Sequence, residues 1–143
     1  MEFVPMKAEH ALLMNDLIGV HAEANITEEI ARNVERAGGA VTALDGDAVL
    51  GIAGISEKWA GTGVAWAWLS RRWKRHARAI TQEIIRNLEK TKYPRVELAV
   101  RVDFPAGHRW AKMLGFRLET PFAPKYGPDG NDYSIYTKVR GFS

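Results

Sequence analysis

Eight residues decide the fold of this chain: Arg109-Trp110-Ala111-Lys112-Met113-Leu114-Gly115-Phe116. They follow residues 96–102, where apolar and polar side chains alternate as in a half-buried strand. The stretch itself has the pattern of a short amphipathic helix that a glycine ends. Phe116 then begins another strand-like run. The sequence therefore predicts a strand, a short helix and a second strand in direct succession late in the chain.

The composition is that of a globular protein rather than a disordered or fibrous one. The chain has 143 residues, of which 46% are hydrophobic and 26% charged, and this length fits one domain, residues 1–143. The absence of cysteine excludes disulfides, thiolate zinc sites and a cysteine nucleophile. Neither a secretory signal nor an apolar run long enough to span a membrane is visible. We expect a cytoplasmic protein.

Periodicity and turn signals predict the remaining elements. Asn25 or Thr27 can cap a helix that ends at Gly38 and Gly39, and Asp45-Gly46-Asp47 predicts a hairpin. Residues 120–131 are expected to form a loop, and residues 70–75 a polar connection. The predicted strands are residues 2–6, 40–44, 48–56, 64–69, 96–102, 116–119 and 132–139, and the predicted helices are residues 7–18, 27–37, 76–90 and 105–114.

This order of elements, together with several local motifs, resembles the GCN5-related N-acetyltransferases (GNATs). The motifs are Leu114-Gly115-Phe116, Ala65-Trp66-Ala67-Trp68-Leu69, Tyr93-Pro94 before a strand and residues 126–130 before the last strand. Together they look similar to the small GNAT-like proteins of tailed phages and prophages. The resemblance implies an α+β fold, a single GNAT-like domain whose mixed, mostly antiparallel central sheet is flanked by helices.

The resemblance implies an acetyl-CoA-dependent N-acetyltransferase that transfers an acetyl group to an amine, with the acceptor unknown. Three departures from the family pattern support an alternative, a catalytically degenerate phage or prophage protein with a structural or binding role in the host cytoplasm or the virion. Ala111 occupies the position where the family often has the tyrosine that protonates the leaving thiolate. Asp103-Phe104 replaces an asparagine that often contacts coenzyme A. The third departure lies in the basic segment, which we define as residues 70–78.

Cations crowd the basic segment where a strand gives way to a helix. Helix N-termini already favour anions, so cations there oppose the helix dipole unless an anion neutralises them. The resemblance implies that this segment holds the pyrophosphate of acetyl-CoA, normally through glycine-rich backbone, yet no glycine lies between Ser70 and Tyr93. Side chains then take over that role. A solvated basic face and a nucleic-acid-binding patch remain alternatives. The proposed cofactor-binding side chains here are Arg71, Arg72, Trp73, Lys74, Arg75 and His76, with Arg78 close by.

The strand before the basic segment alternates small and large residues, so Trp66 and Trp68 share one face. By resemblance, backbone groups of Trp68, Leu69 and Ser70 hold the thioester and pantetheine, and Phe104 lies against the cofactor. A backbone N–H, assigned to Ser70, would stabilise the tetrahedral intermediate as in an oxyanion hole. The two indoles either wall a substrate pocket or pack beneath a helix.

Acetyl transfer needs a base for the amine and a proton for the departing thiolate. Glu57, near the end of the third strand, is the candidate base, and a solvated carboxylate is the alternative. His108 is the candidate acid because it lies three residues before Ala111, on about the same helix face; a surface histidine is the alternative. Tyr126, Tyr133 and Tyr136 all lie near the last strand. His10 and His21 have no partner at metal-binding spacing, so we predict no metal site.

Overall fold

The computed structural model describes residues 1–14, 16–18 and 26–141. Seven strands form one sheet in the order β1-β2-β3-β4-β5-β7-β6. The pairings β1–β2, β2–β3, β5–β7 and β6–β7 are antiparallel, whereas β4–β5 is parallel. The elements are β1 Glu2–Pro5, α1 Ala8–Leu12, α2 Glu28–Ala37, β2 Ala40–Asp45, β3 Ala48–Trp59, β4 Thr62–Leu69, a 3₁₀ helix Arg71–His76, α3 Ala77–Lys90, β5 Arg95–Arg101, α4 Pro105–Met113, β6 Arg117–Ala123 and β7 Tyr133–Val139.

Most of the predicted elements are confirmed, and with them the α+β fold and the mixed sheet. Thr27 caps α2 by accepting a hydrogen bond from the Ile30 N–H at 3.2 Å, and α2 ends at Gly38, which has a φ of 73°. Asp45 pairs with Ala48 across the predicted hairpin. Asn25, the other candidate cap, and His21 lie outside the described residues.

Three boundaries differ from the prediction. The first helix ends at Leu12, because Leu17 pairs with Ser70 in an isolated antiparallel bridge instead of continuing the helix. The connection at residues 71–76 is a 3₁₀ helix. Part of the expected loop belongs to β6, which runs through Pro121 to Ala123. An edge strand tolerates proline because no neighbour needs its missing N–H, and the register of β6 shifts between Thr120 and Ala123.

By contacts, the chain comprises two compact units, residues 1–56 with 66–83 and residues 57–65 with 84–143. In the first unit, helices α1 and α2 contribute to a hydrophobic core together with strands β2, β3 and β4. The prediction of one domain stays a prediction. The buried core residues of this unit are Met6, Ala11, Met14, Ala31, Ala40, Val49, Ile52 and Trp68.

The second unit is built on β5, which pairs with β7 along its whole length, and on α4, whose Pro105 stands in the first turn. Gly107 lets this helix approach the strand closely. A Cβ at Gly107 would lie 2.6 Å from the Phe104 ring and 2.8 Å from the Val100 side chain. Across all the described residues, no helix is long and apolar enough to cross a membrane.

His10 is a buried polar residue in the first unit. Its Nδ1 accepts the Lys7 N–H at 3.0 Å and lies 2.9 Å from Thr42 Oγ1. Because Nδ1 accepts a hydrogen bond from a backbone N–H, this arrangement requires the neutral form of the ring. Burial lowers the pKa of His10 below its ordinary value of 6.5 and outweighs the opposing effect of Glu9.

This pKa shift predicts a loss of stability in mild acid. As the pH falls below about 6.5, unfolded His10 gains a proton that the folded ring does not, so the free energy of unfolding decreases until the pH reaches the lower folded pKa. We expect His10→Gln to flatten this dependence. Urea denaturation between pH 7.5 and pH 5 measures the slope for both proteins, and equal slopes would contradict the assignment.

Candidate functional site

Ser70 joins the end of β4 to the basic segment. Its N–H donates to Leu50 O on β3 at 3.0 Å, and its Oγ accepts the Arg72 N–H at 3.1 Å. Its carbonyl accepts the Trp73 N–H at 3.2 Å. The residue is fully buried, with 0% of its surface exposed. Ser70 is therefore the N-cap of the 3₁₀ helix, and it fixes where the cations begin.

The predicted catalytic role of Ser70 gains no support from this geometry. An oxyanion donor must point its N–H at the reacting oxygen. The Ser70 N–H is instead donated to Leu50 O, so a thioester oxygen would have to replace that carbonyl. The role of Ser70 in stabilising the tetrahedral intermediate stays a prediction, whereas its contacts show that it caps the 3₁₀ helix.

The cations of the basic segment are exposed, and most of them lack an acidic partner. Arg72 Nε lies 3.8 Å from Asp16 Oδ2, and His76 Nε2 lies 3.4 Å from Asp45 Oδ2. Within residues 1–14, 16–18 and 26–141, no carboxylate lies within 4.0 Å of the remaining cations, and the first turn of the 3₁₀ helix contains no acid. These remaining cations are Arg71, Lys74, Arg75 and Arg78.

Several backbone N–H groups of the basic segment are hydrogen-bonded within the protein itself. Besides the two that Ser70 accepts, the Arg71 N–H donates to Asp16 O at 3.1 Å, and the Ala77 N–H donates to Lys74 O. A glycine-rich phosphate loop presents such groups to its ligand. The backbone N–H groups of Arg71, Arg72, Trp73 and Ala77 are therefore already hydrogen-bonded, and the prediction that side chains would hold a phosphate here stays a prediction.

Trp66 and Trp68 lie side by side on β4, with ring centroids 4.8 Å apart and ring planes at 45°. Trp68 is a buried member of the first unit's core, and Trp66 packs against that core. The Trp66 Nε1–H donates to Ser56 Oγ at 3.0 Å. Gly54 makes room for the indole, since a Cβ there would lie 2.8 Å from the Trp66 ring. The contacts favour packing for both indoles, and the backbone role of Trp68 and Leu69 stays a prediction.

His108 is half-buried in the second unit and hydrogen-bonded at both ring nitrogens. Its Nε2 lies 2.9 Å from Arg101 O, and its Nδ1 lies 2.7 Å from Tyr136 Oη. A carbonyl only accepts, so Nε2 carries a proton and donates it to Arg101 O in a hydrogen bond. Burial raises the pKa of Tyr136. Tyr136 is thus a partner of the candidate acid, and its sequence position did not distinguish it from Tyr126 and Tyr133.

Three further residues singled out in the sequence lie in the second unit. The carboxylate of Glu57 is exposed and accepts from Tyr93 Oη at 3.3 Å. Phe104 packs its ring over Gly107. Asp103 receives two hydrogen bonds from Arg101, at 2.9 and 2.8 Å, which lower the pKa of Asp103. The candidate base and the Phe104 contact both stay predictions.

The sequence did not reveal the acids that face the cations. Asp16 contacts Arg72, and Asp45 contacts His76, across 56 and 31 positions of the chain respectively. Asp16 was placed inside a predicted helix and Asp45 in a hairpin turn, so neither carried a signal of its own. Among the described residues, no three histidine or acidic side chains are grouped so that they could hold a metal ion.

Comparisons with solved structures show the GNAT fold. Ard1 from Thermoplasma volcanium matches with a TM-score of 0.80 at 14% identity, covering 97% of each chain. The ribosomal-protein-S18-alanine N-acetyltransferase of Escherichia coli matches with a TM-score of 0.74 at 17% identity, covering 99% of this chain and 95% of the other. YncA from Salmonella typhimurium, solved with its cofactor acetyl-CoA, matches with a TM-score of 0.59 at 14% identity over 70% of this chain and 63% of its own.

No protein-family model matches the sequence, and no curated protein sequence is significantly similar to it. At identities this low, the likeness is one of fold. The substrate has to be argued from the residues of this chain.

Ala111 is fully buried, which gives a direct test of the departure at this position. We expect Ala111→Tyr to lower the free energy of unfolding by about 1–3 kcal/mol because a phenol overfills the space beneath α4. Lys112→Tyr, on the exposed side of the same helix, is the matched control and should change stability by less than about 0.5 kcal/mol. Urea denaturation compares the two, and equal stabilities would show that position 111 has room for a phenol.

Proposed function

We propose that the protein is an acetyl-CoA-dependent N-acetyltransferase whose donor binds at the end of β4 and on the basic segment. One observation carries the proposal: five exposed cations follow β4 directly, and four of them have no carboxylate within 4.0 Å among the described residues. Such a cluster is electrostatically unfavourable until an anion binds. The diphosphate of coenzyme A supplies that anion, and the GNAT fold supports this choice.

The basic segment would hold the diphosphate through its side chains. Arginine binds phosphate oxygens through two parallel hydrogen bonds, and lysine contributes a point charge. Arg71 and Arg75 are free to do so, since both are exposed and neither forms an ion pair with an acid among the described residues. Trp68 and Leu69 would offer backbone groups to the donor's amides, and Phe104 would contribute apolar contact.

The proposed reaction begins when a neutral amine attacks the thioester carbonyl carbon. The C–N bond forms, the C–S bond breaks, the nitrogen loses a proton and the thiolate gains one. Glu57, alone or through water, would take the first proton because its carboxylate is exposed. His108 would supply the second when it is protonated, from the nitrogen that now faces Tyr136 Oη. The hydrogen bond to Tyr136 does not exclude such a role, because catalytic hydrogen bonds often rearrange when substrate binds.

The donor site predicts a ligand-dependent melting temperature. Acetyl-CoA at millimolar concentration should raise the melting temperature of the protein, and Arg72→Glu with Arg75→Glu should abolish the rise by replacing attraction with repulsion. Differential scanning fluorimetry measures both.

The matched control reverses two exposed cations of α4, Arg109→Glu with Lys112→Glu, which changes the net charge equally and should leave the rise intact. A wild-type protein without any rise would contradict the proposed function and favour the degenerate alternative. Salt-dependent binding to DNA with no response to acetyl-CoA would assign the cations to nucleic acid.

The proposed acid predicts a loss of turnover without a loss of donor binding. We expect His108→Gln to lower kcat by about 10²- to 10⁴-fold, with the acetyl-CoA Kd unchanged. Tyr136→Phe keeps the imidazole and removes only its hydrogen-bond partner, so it should cost much less. Thiol release across a panel of amines measures kcat, and equal kcat values for His108→Gln and wild type would leave the ring a purely structural role.

A further inference from the structure

A short segment, residues 16–18, lies against the end of β4; we refer to it as the strap. The Ile18 N–H donates to Leu69 O at 2.9 Å, and the Arg71 N–H donates to Asp16 O at 3.1 Å. Between these bonds, Leu17 pairs with Ser70 in an antiparallel bridge. The strap is thus a one-residue strand added to β4 at the point where the basic segment begins.

The strap covers the edge of β4 that faces away from β3. In a strand, the N–H and C=O groups of successive residues point to opposite edges. Ser70 uses its N–H on Leu50 of β3, so the groups of Leu69 and Arg71 point the other way. These are the groups that the strap occupies. The parallel ladder with β5 uses this edge only at residues 62–64.

We infer that the strap is an autoinhibitory contact, which the acyl donor must displace in order to bind fully. This inference rests on the proposed function, in which donor amides pair with the backbone at the end of β4. Leu69 C=O and the Arg71 N–H cannot serve the strap and a ligand at the same time. The strap and a fully bound donor therefore exclude each other. Donor binding would replace the strap's hydrogen bonds to Leu69 and Arg71 with hydrogen bonds to the donor.

The contacts that hold the strap are few enough to be exchanged. Among the residues that the structure describes, two backbone hydrogen bonds hold the strap, and Leu17 packs against the first unit's core. The ion pair between Arg72 and Asp16 is long, at 3.8 Å, and the Arg72 side chain is 62% exposed, so it contributes little. A phosphate is a stronger partner for the same guanidinium. Asp16 thus occupies Arg72 only while no phosphate is present.

Ile18→Pro tests the strap because proline has no N–H to donate to Leu69 O. Ile18→Ala is the matched control, since it also removes the side chain but keeps the N–H. We expect Ile18→Pro to bind acetyl-CoA about two- to tenfold more tightly than Ile18→Ala, the factor that one net hydrogen bond supplies. Isothermal titration calorimetry measures the Kd values, and circular dichroism melts establish that both variants are folded.

Hydrogen exchange on the wild-type protein gives a second readout that needs no variant. Acetyl-CoA should speed exchange at the Ile18 amide, while the Arg71 amide stays protected by its new partner.

The outcomes separate the strap from the proposed function. If wild type binds acetyl-CoA and Ile18→Pro binds no more tightly than Ile18→Ala, the strap is not inhibitory and the proposed function stands. If Ile18→Pro is the one protein of the three that binds acetyl-CoA, the autoinhibitory strap and the proposed function are both supported. If none of the three proteins binds acetyl-CoA, the autoinhibitory strap and the proposed function are both overturned. Unchanged exchange at Ile18 in a protein that binds acetyl-CoA also overturns the strap.

Discussion

The hydrogen bonds of one buried serine hold the candidate donor site together. Ser70 donates its N–H to β3, accepts the Arg72 N–H at its Oγ and accepts the Trp73 N–H at its carbonyl. A capping hydrogen bond contributes about 1 kcal/mol, but its structural effect is larger. It turns the chain from an extended strand into a 3₁₀ helix within one residue, so that the cations come directly after β4.

This turn places several cations at the positive end of a helix dipole, which is electrostatically unfavourable. Cations at a helix start oppose the partial positive charge of the free N–H groups, and Asp16 and Asp45 offset only part of it. Proteins commonly keep such unfavourable features where function requires them. This unfavourable energy would fall if an anion bound, and under the proposed function it would contribute to the affinity for the donor's diphosphate.

The sequence predicted the fold well because its signals are local. Gly38, the Asp-Gly turn at residues 45 and 46 and Pro105 each act within a few residues, and each ended or began an element where expected. The prediction that the first helix continues to residue 18 was wrong because the partner of this segment is distant in the sequence. Its apolar spacing fits a helix, but Leu17 is held by Ser70, 53 positions away along the chain. Sequence periodicity cannot show a partner at that distance. The same limit explains why Asp16 and Tyr136 were not singled out.

The surroundings of Ala111 show which side chains lie where the family often has a tyrosine. Ala111 is buried at the core side of α4, and one turn earlier the same helix places His108 against the Tyr136 hydroxyl. A tyrosine therefore does face this helix, but it comes from β7 and its hydroxyl is already hydrogen-bonded to a histidine. Any proton transfer at this helix would therefore involve a hydrogen-bonded histidine and tyrosine rather than one exposed phenol. Under the proposed function, donor binding to the basic segment would remain when His108 or Tyr136 is replaced.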